Sequence, residues 1–147
     1  MPPCAVAAGL FEPVQGLNMK HDVVYNGSGG FPPAGHYSPS CTANGTVYIS
    51  GQLPIAFSGE SLAGEPFARQ VRQVLDNLDA CLAGAGVGRA QLVQVRVYLT
   101  DIDLWPTFNA LYAEWIGEFR PARAVAGVSQ LHYGAAVEVE AVALAAL

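Results

Sequence analysis

Apolar residues change their spacing several times along the chain, and each change marks a predicted element. Asp22 to Tyr25 is a short run rich in β-branched residues that stops at Asn26-Gly27-Ser28-Gly29-Gly30. That glycine cluster is a loop and not a phosphate cradle, because no Lys-Ser/Thr pair or helix follows it. Gly35 to Thr42 reads as extended chain. Asn44-Gly45 supplies two residues that tolerate positive φ, the requirement of a type I′ hairpin. Thr46 to Ser50 is then the returning strand, closing at Gly51-Gln52-Leu53-Pro54.

From Pro66 to Ala83 the period lengthens. Phe67, Val71, Val74, Leu75, Leu78 and Leu82 lie on one face of a helix. Pro66 suits its first turn, and Gly84 or Gly86 its stop. Arg69, Arg72, Asp76 and Asp79 fall mostly off that stripe and read as a solvated face. Leu92 to Thr100 returns to a period of two, with Val93, Val95, Val97 and Leu99 alternating with Gln94, Arg96 and Tyr98. Asp103 is placed to cap a second helix that ends near Phe119. Its apolar face would be Trp105, Phe108, Leu111, Tyr112 and Trp115, with Pro106 tolerated in the first turn. Residues 124–131 and 136–144 form two last strands, joined by Leu131-His132-Tyr133-Gly134. The order β-β-β-α-β-α-β-β predicts an α+β fold, a mixed sheet with two helices packed on one face.

Composition adds a second surface to that picture. The 147 residues suit one domain, yet 52% are hydrophobic and only 13% charged. A sheet covered by helices on one side, with so few charges, is expected to meet the sheets of other subunits on the other. The net charge of -5 argues against nucleic acid as a partner. The arginines at 69, 72, 89, 96, 120 and 123 are spread out and form no basic stripe. Cys4, Cys41 and Cys81 are odd in number and widely spaced, which suits a reducing cytoplasmic setting better than disulfides or zinc. Cys81 falls on the helical apolar stripe as a core thiol. No histidine pair, among His21, His36 and His132, has metal-ligand spacing on one element. Residues 1–20 are apolar but lack a basic start, so they read as an N-terminal extension and not as a signal, with the domain at 21–147. No run is long enough for a transmembrane helix.

Candidate chemistry sits in the last quarter. Arg120-Pro121-Ala122-Arg123 places a scarce cation at the mouth of an apolar strand. In Val137-Glu138-Val139-Glu140-Ala141, the two carboxylates are two residues apart and share a face of their strand. On neighbouring strands, such a cation could hold an acidic substrate while a carboxylate moves protons.

Taken in order, these motifs resemble the Rid family (reactive intermediate deaminases, also called the YjgF family) over residues 22–147. The carriers are Gly35-His36-Tyr37-Ser38-Pro39, Val47-Tyr48-Ile49-Ser50-Gly51-Gln52-Leu53-Pro54, Gln70 to Leu78, Phe108-Asn109-Ala110-Leu111-Tyr112, and the two segments around Arg123 and Glu138. The resemblance implies a chorismate-mutase-like fold and a homotrimer with clefts between subunits. It also implies a cofactor-free, metal-free hydrolase that converts small 2-imino or 2-enamino acids, such as 2-aminoacrylate, to 2-keto acids and ammonia. Residue by residue, Arg123 aligns with the carboxylate-binding arginine, Glu138 with the acid that handles water and protons, and Tyr37 with a tyrosine that orders substrate or water. Ser50 and Gly51 match the pocket wall and Asn109 a pocket amide. Glu140 is expected to pair structurally.

The departures are specific. Ala124 and Val125 stand where many deaminating members carry Ser and Cys, which makes the substrate-binding surface near Arg123 more apolar. His36 replaces a proline before Tyr37. His132 and Tyr133 replace a proline-centred loop, and Tyr133 could narrow the cleft. Two other readings keep the fold: an enzyme for a larger imine-bearing intermediate of a specialised pathway, or a non-catalytic ligand-binding trimer.

Overall fold

A computed structural model describes residues 22–146. The expectations for residues 1–20, Cys4 and His21 lie outside them. The strands are β1 (Val24–Asn26), β2 (Ser40–Ala43), β3 (Thr46–Gln52), β4 (Leu92–Leu99), β5 (Ala122–Gly127) and β6 (Val137–Leu144). The helices are α1 (Phe67–Gly84) and α2 (Trp105–Ile116). One mixed sheet results, in the order β1-β2-β3-β6-β4-β5. Only the β4–β5 pair is parallel, with α2 as its crossover. Asn44 and Gly45 both have positive φ, 49° and 75°, as a type I′ hairpin between β2 and β3 requires.

The core lies between the helices and one face of the sheet. Val47 and Ile49 of β3, Val95, Val97 and Leu99 of β4, and Val137, Val139, Ala141 and Ala143 of β6 turn inward. They meet Val71, Val74, Leu75, Leu78 and Leu82 of α1 and Phe108, Tyr112 and Ile116 of α2. Gln70 fastens α1 to the entry of β6: its amide donates to the Glu65 carbonyl and its Oε1 accepts from Ala136 N–H. The opposite face carries Tyr48, Tyr98, Glu138, Glu140, Val142 and Leu144, with Tyr48 51% and Leu144 56% exposed. Among the described residues nothing covers this face, which mixes aromatic, aliphatic and charged side chains. Among the described residues, no helix is long and apolar enough to cross a membrane.

Several local expectations are corrected. Gly35 to Thr42 is not one extended run. The chain bends through residues 34–37 and pairs only from Ser40. Val93 is exposed because a register shift between Leu92 and Gln94 breaks the alternation. Asp103 does not cap α2. Asp101 instead caps a single 3-10 turn (Ile102–Leu104) by accepting from Asp103 N–H at 3.0 Å, and α2 begins after it. Trp105, at the start of α2, is exposed and not part of the core. The fifth strand ends at Gly127, before residue 131, after which Val128 N–H turns to the Leu99 carbonyl. Asp79 is not a solvated side chain. It takes a two-pronged bond from Arg89 at 2.8 and 2.6 Å and a third from the Trp115 indole at 2.9 Å, joining α1 to α2.

Candidate active site

Arg123 projects from β5 toward the helices. In register it lies beside Val95, a fully buried core residue, so both side chains share the helix-covered face. Its Nη1 donates to Asn109 Oδ1 at 2.9 Å, and its guanidinium stacks 4.9 Å from the centre of the Tyr112 ring. Both partners lie on α2, three residues apart and so neighbours on one side of the helix. Among the described residues Arg123 has no carboxylate partner. The guanidinium is half-buried, aimed and left uncompensated. Val125 follows on the same face, beside Val97, and packs against the core. Arg120, the first arginine of that segment, is exposed and donates to the Gly117 carbonyl at the end of α2.

Glu138 projects from β6 to the other face. It lies opposite Tyr98, and Glu140 lies opposite Arg96. Glu140 accepts from the Tyr98 hydroxyl at 2.6 Å and approaches Arg96 at 3.4 Å, so it is engaged structurally. Glu138 has no hydrogen bond or ion pair to a side chain among the described residues and sits against Gly51. A register shift between Ile49 and Gln52 brings the β3 backbone close to β6 at this point. A Cβ at Gly51 would overlap the Glu138 carboxylate oxygen, so any other residue there would push that carboxylate aside. Burial pushes the Glu138 carboxyl above the ordinary glutamate range; His132 acts against this shift and Glu140 adds to it.

Tyr37, Gly51, His132 and Tyr133 line one cavity of about 470 Å³. Burial, then Tyr133 and Glu138, raise the Tyr37 phenol above its usual range. Tyr133 has φ 61°, ψ 15°, a left-handed conformation uncommon outside glycine, and is 60% exposed at the cavity mouth. The His132 ring meets the Tyr133 ring nearly edge-on at 5.8 Å. Ser50 is not among the residues lining this cavity; its hydroxyl donates to the Ser38 carbonyl at 2.7 Å and so fastens the segment that carries Tyr37. His36 is exposed beside Tyr37 on the outer side of β2 and β3.

Two groupings result. Arg123, Asn109 and Val125 form one on the helix-covered face. Glu138, Gly51, Tyr37 and Tyr133 form the other around the cavity mouth, with Ser50 bracing it. Strand β4 separates β5 from β6, so the expectation of neighbouring strands for Arg123 and the carboxylates is corrected. Sequence reasoning also passed over Tyr112 as a platform for Arg123, because it reads only as part of the apolar face of α2. It placed His132 in the loop before the last strand, where the structure has a 3-10 turn over His132–Gly134. Among the described residues no three His, Cys, Asp or Glu side chains converge as metal ligands do.

A family model described as Endoribonuclease L-PSP matches residues 30–145. The chain is 39% identical over 112 residues to a RutC family protein of Pyrococcus horikoshii, covering 76% of this chain and 88% of that one. It is 34% identical over 110 residues to the human 2-iminobutanoate/2-iminopropanoate deaminase, covering 75% and 80% respectively. The crystal structure of the Escherichia coli YjgF gene product superposes with a TM-score of 0.76 at 29% identity, over 82% of this chain and 97% of that chain. The chorismate-mutase-like α+β architecture and the match along most of the domain agree, and the chain belongs to the Rid (YjgF/RutC) family.

Proposed function

We propose that the protein is a cofactor-independent deaminase that hydrolyses 2-imino and 2-enamino acids to 2-keto acids and ammonia. The observation that carries this reading is Arg123, a half-buried guanidinium held by Asn109 and Tyr112 with no acidic partner among the described residues. Such a group fits a substrate carboxylate, which it grips with two parallel hydrogen bonds. The human relative of 34% identity carries the name of this activity. The family model's description names an endoribonuclease, but a chain of net charge -5 offers RNA no basic face.

The chemistry follows from the two groupings. Arg123 fixes the carboxylate and so the plane of the adjacent C=N bond. Glu138, as a carboxylate, takes a proton from water as the oxygen adds to C2 of the protonated imine. The tetrahedral carbinolamine then forms. Glu138 returns that proton to nitrogen, then takes the hydroxyl proton as the C–N bond breaks, leaving ammonia and the ketone; ammonia finally carries the proton away as ammonium. A raised pKa suits a carboxyl group that must both accept and donate. Tyr37 supplies a hydroxyl to order the water, and Tyr133 narrows the entrance. Because Arg123 and Glu138 occupy opposite faces of one sheet, one substrate reaches both only across a subunit boundary. We place the site between subunits of a homotrimer, with the outer face of the sheet as the natural contact.

A coupled assay tests the activity: an amino-acid oxidase generates 2-imino acids, and semicarbazide traps what remains. Faster imine loss with the protein supports the reading, and no acceleration with any imine from folded protein removes it.

Glu138 also carries a stability prediction. Folding raises its pKa, so the folded state holds the proton more tightly than the unfolded one. The resulting stabilisation is complete below the unfolded pKa and is lost as pH rises through the folded one. Glu138→Gln keeps a neutral side chain, so its Tm should exceed that of the wild type at pH 7 while its maximal rate falls about 10²–10⁴-fold. A Tm lower than wild type at pH 7, with the gap unchanged at acid pH, would show that the buried charge costs no stability.

A further inference from the structure

The cavity of about 470 Å³ is larger than a three-carbon substrate would fill. That volume lies within the range of about 300–1,000 Å³ common for small-molecule sites. Ala80 and Asn77 of α1 line it together with Leu53, Ile55, Pro32 and Pro33. Asn77 offers no free amide proton there, since its Nδ2 donates to the carbonyls of Leu53 and Ile55, at 2.9 Å each. The same two bonds hold the wall against the helix.

The outer wall is built by two reciprocal contacts. Phe31 lies against Gly59, where a Cβ would come within 2.5 Å of the ring. Phe57 lies against Gly30, where a Cβ would come within 3.3 Å. Each aromatic covers the other segment's glycine, so residues 28–35 are clasped to the loop that follows β3. That loop is itself closed by the Ile55–Ser61 bridge. The cavity is therefore formed by packed chain, and its lining mixes the apolar Phe31, Pro32, Pro33, Leu53, Ile55 and Ala80 with polar side chains that include Tyr37 and His132.

Resting on the deaminase reading, we propose that this cavity receives the side chain of the substrate, and that the preferred substrate is a 2-imino acid with a large apolar side chain, aromatic or branched aliphatic. The reacting carbon then lies at the mouth beside Gly51 and Glu138, and the side chain points inward toward Ala80.

The test separates binding from turnover. Pyruvate and phenylpyruvate, 2-keto acids with a small and a large side chain, are titrated calorimetrically into the full chain, the Ala80→Phe variant and the milder Ala80→Leu variant. Thermal melts confirm that each variant is folded. The wild type should bind phenylpyruvate at least about tenfold more tightly than pyruvate. Filling the cavity at Ala80 should cost phenylpyruvate at least about tenfold more affinity than it costs pyruvate. Equal affinities in the wild type, no binding of either acid, or loss of both ligands in the folded variants would overturn the proposal. The imines of alanine and phenylalanine are run in parallel. Binding that follows the proposal without turnover of either imine would discard the deaminase reading and keep the pocket.

Discussion

Arg123→Ala is expected to lower kcat/KM on every 2-imino acid by about 10²–10⁴-fold while the fold and the assembly persist. Hydrogen bonds to a charged partner contribute about 1.5–3 kcal/mol each, and a guanidinium offers a carboxylate two. No compensating change is expected in the resting protein. Arg123 anchors no acidic side chain among the described residues, and its contacts are with Asn109 and the Tyr112 ring. Arg123→Lys should recover little, because an ammonium cannot present the planar fork or stack on Tyr112 in the same way. Steady-state kinetics beside size-exclusion chromatography decide the matter. An alanine variant with wild-type kcat/KM would end the carboxylate role.

Gly51→Ala is the second large effect expected. The new methyl would occupy the position of the Glu138 carboxylate oxygen, so the carboxylate must swing away from the cavity mouth. Loss of a positioned acid–base group costs about 10²–10⁴-fold in rate. A displaced carboxylate also has a thermodynamic signature. If Gly51→Ala acts through Glu138, adding it to Glu138→Gln should change the rate little beyond either change alone. Two penalties that multiply in the double variant would show that Gly51 serves some other purpose, such as the path of the β3 backbone. Crystals of the single variant would show which rotamer Glu138 adopts.

Much of the architecture was legible along the chain because it rests on short-range signals. The 18-residue helix α1, the Asn44-Gly45 turn and the alternation in β6 each carry their own period or turn chemistry. The paired state of Glu140 was legible too, once a strand period of two put it on a face with long polar neighbours. What was not legible depended on register. The bulge in β3 decides that Gly51 meets Glu138, and no local pattern marks it. The order of β6, β4 and β5 decides that Arg123 and Glu138 are not neighbours, and strand order is set by tertiary pairing alone. Asp79 was misjudged for the same reason. Its partners, Arg89 and Trp115, lie on other elements, and a charged side chain that looks solvated in one dimension can be a junction in three.

The placement of Arg123 and Glu138 on opposite faces of one sheet has a genetic consequence. Two defective alleles, one encoding Arg123→Ala and the other Glu138→Gln, would be expected to complement each other. In the homotrimer proposed above, a ring drawn from both would contain one junction at which an intact arginine meets an intact glutamate. Refolding the two inactive proteins together at equal concentration should then restore about a quarter of the wild-type sites, where neither alone has any. Pathogenicity or fitness at either position would accordingly behave as a property of the assembled ring and not of the single polypeptide.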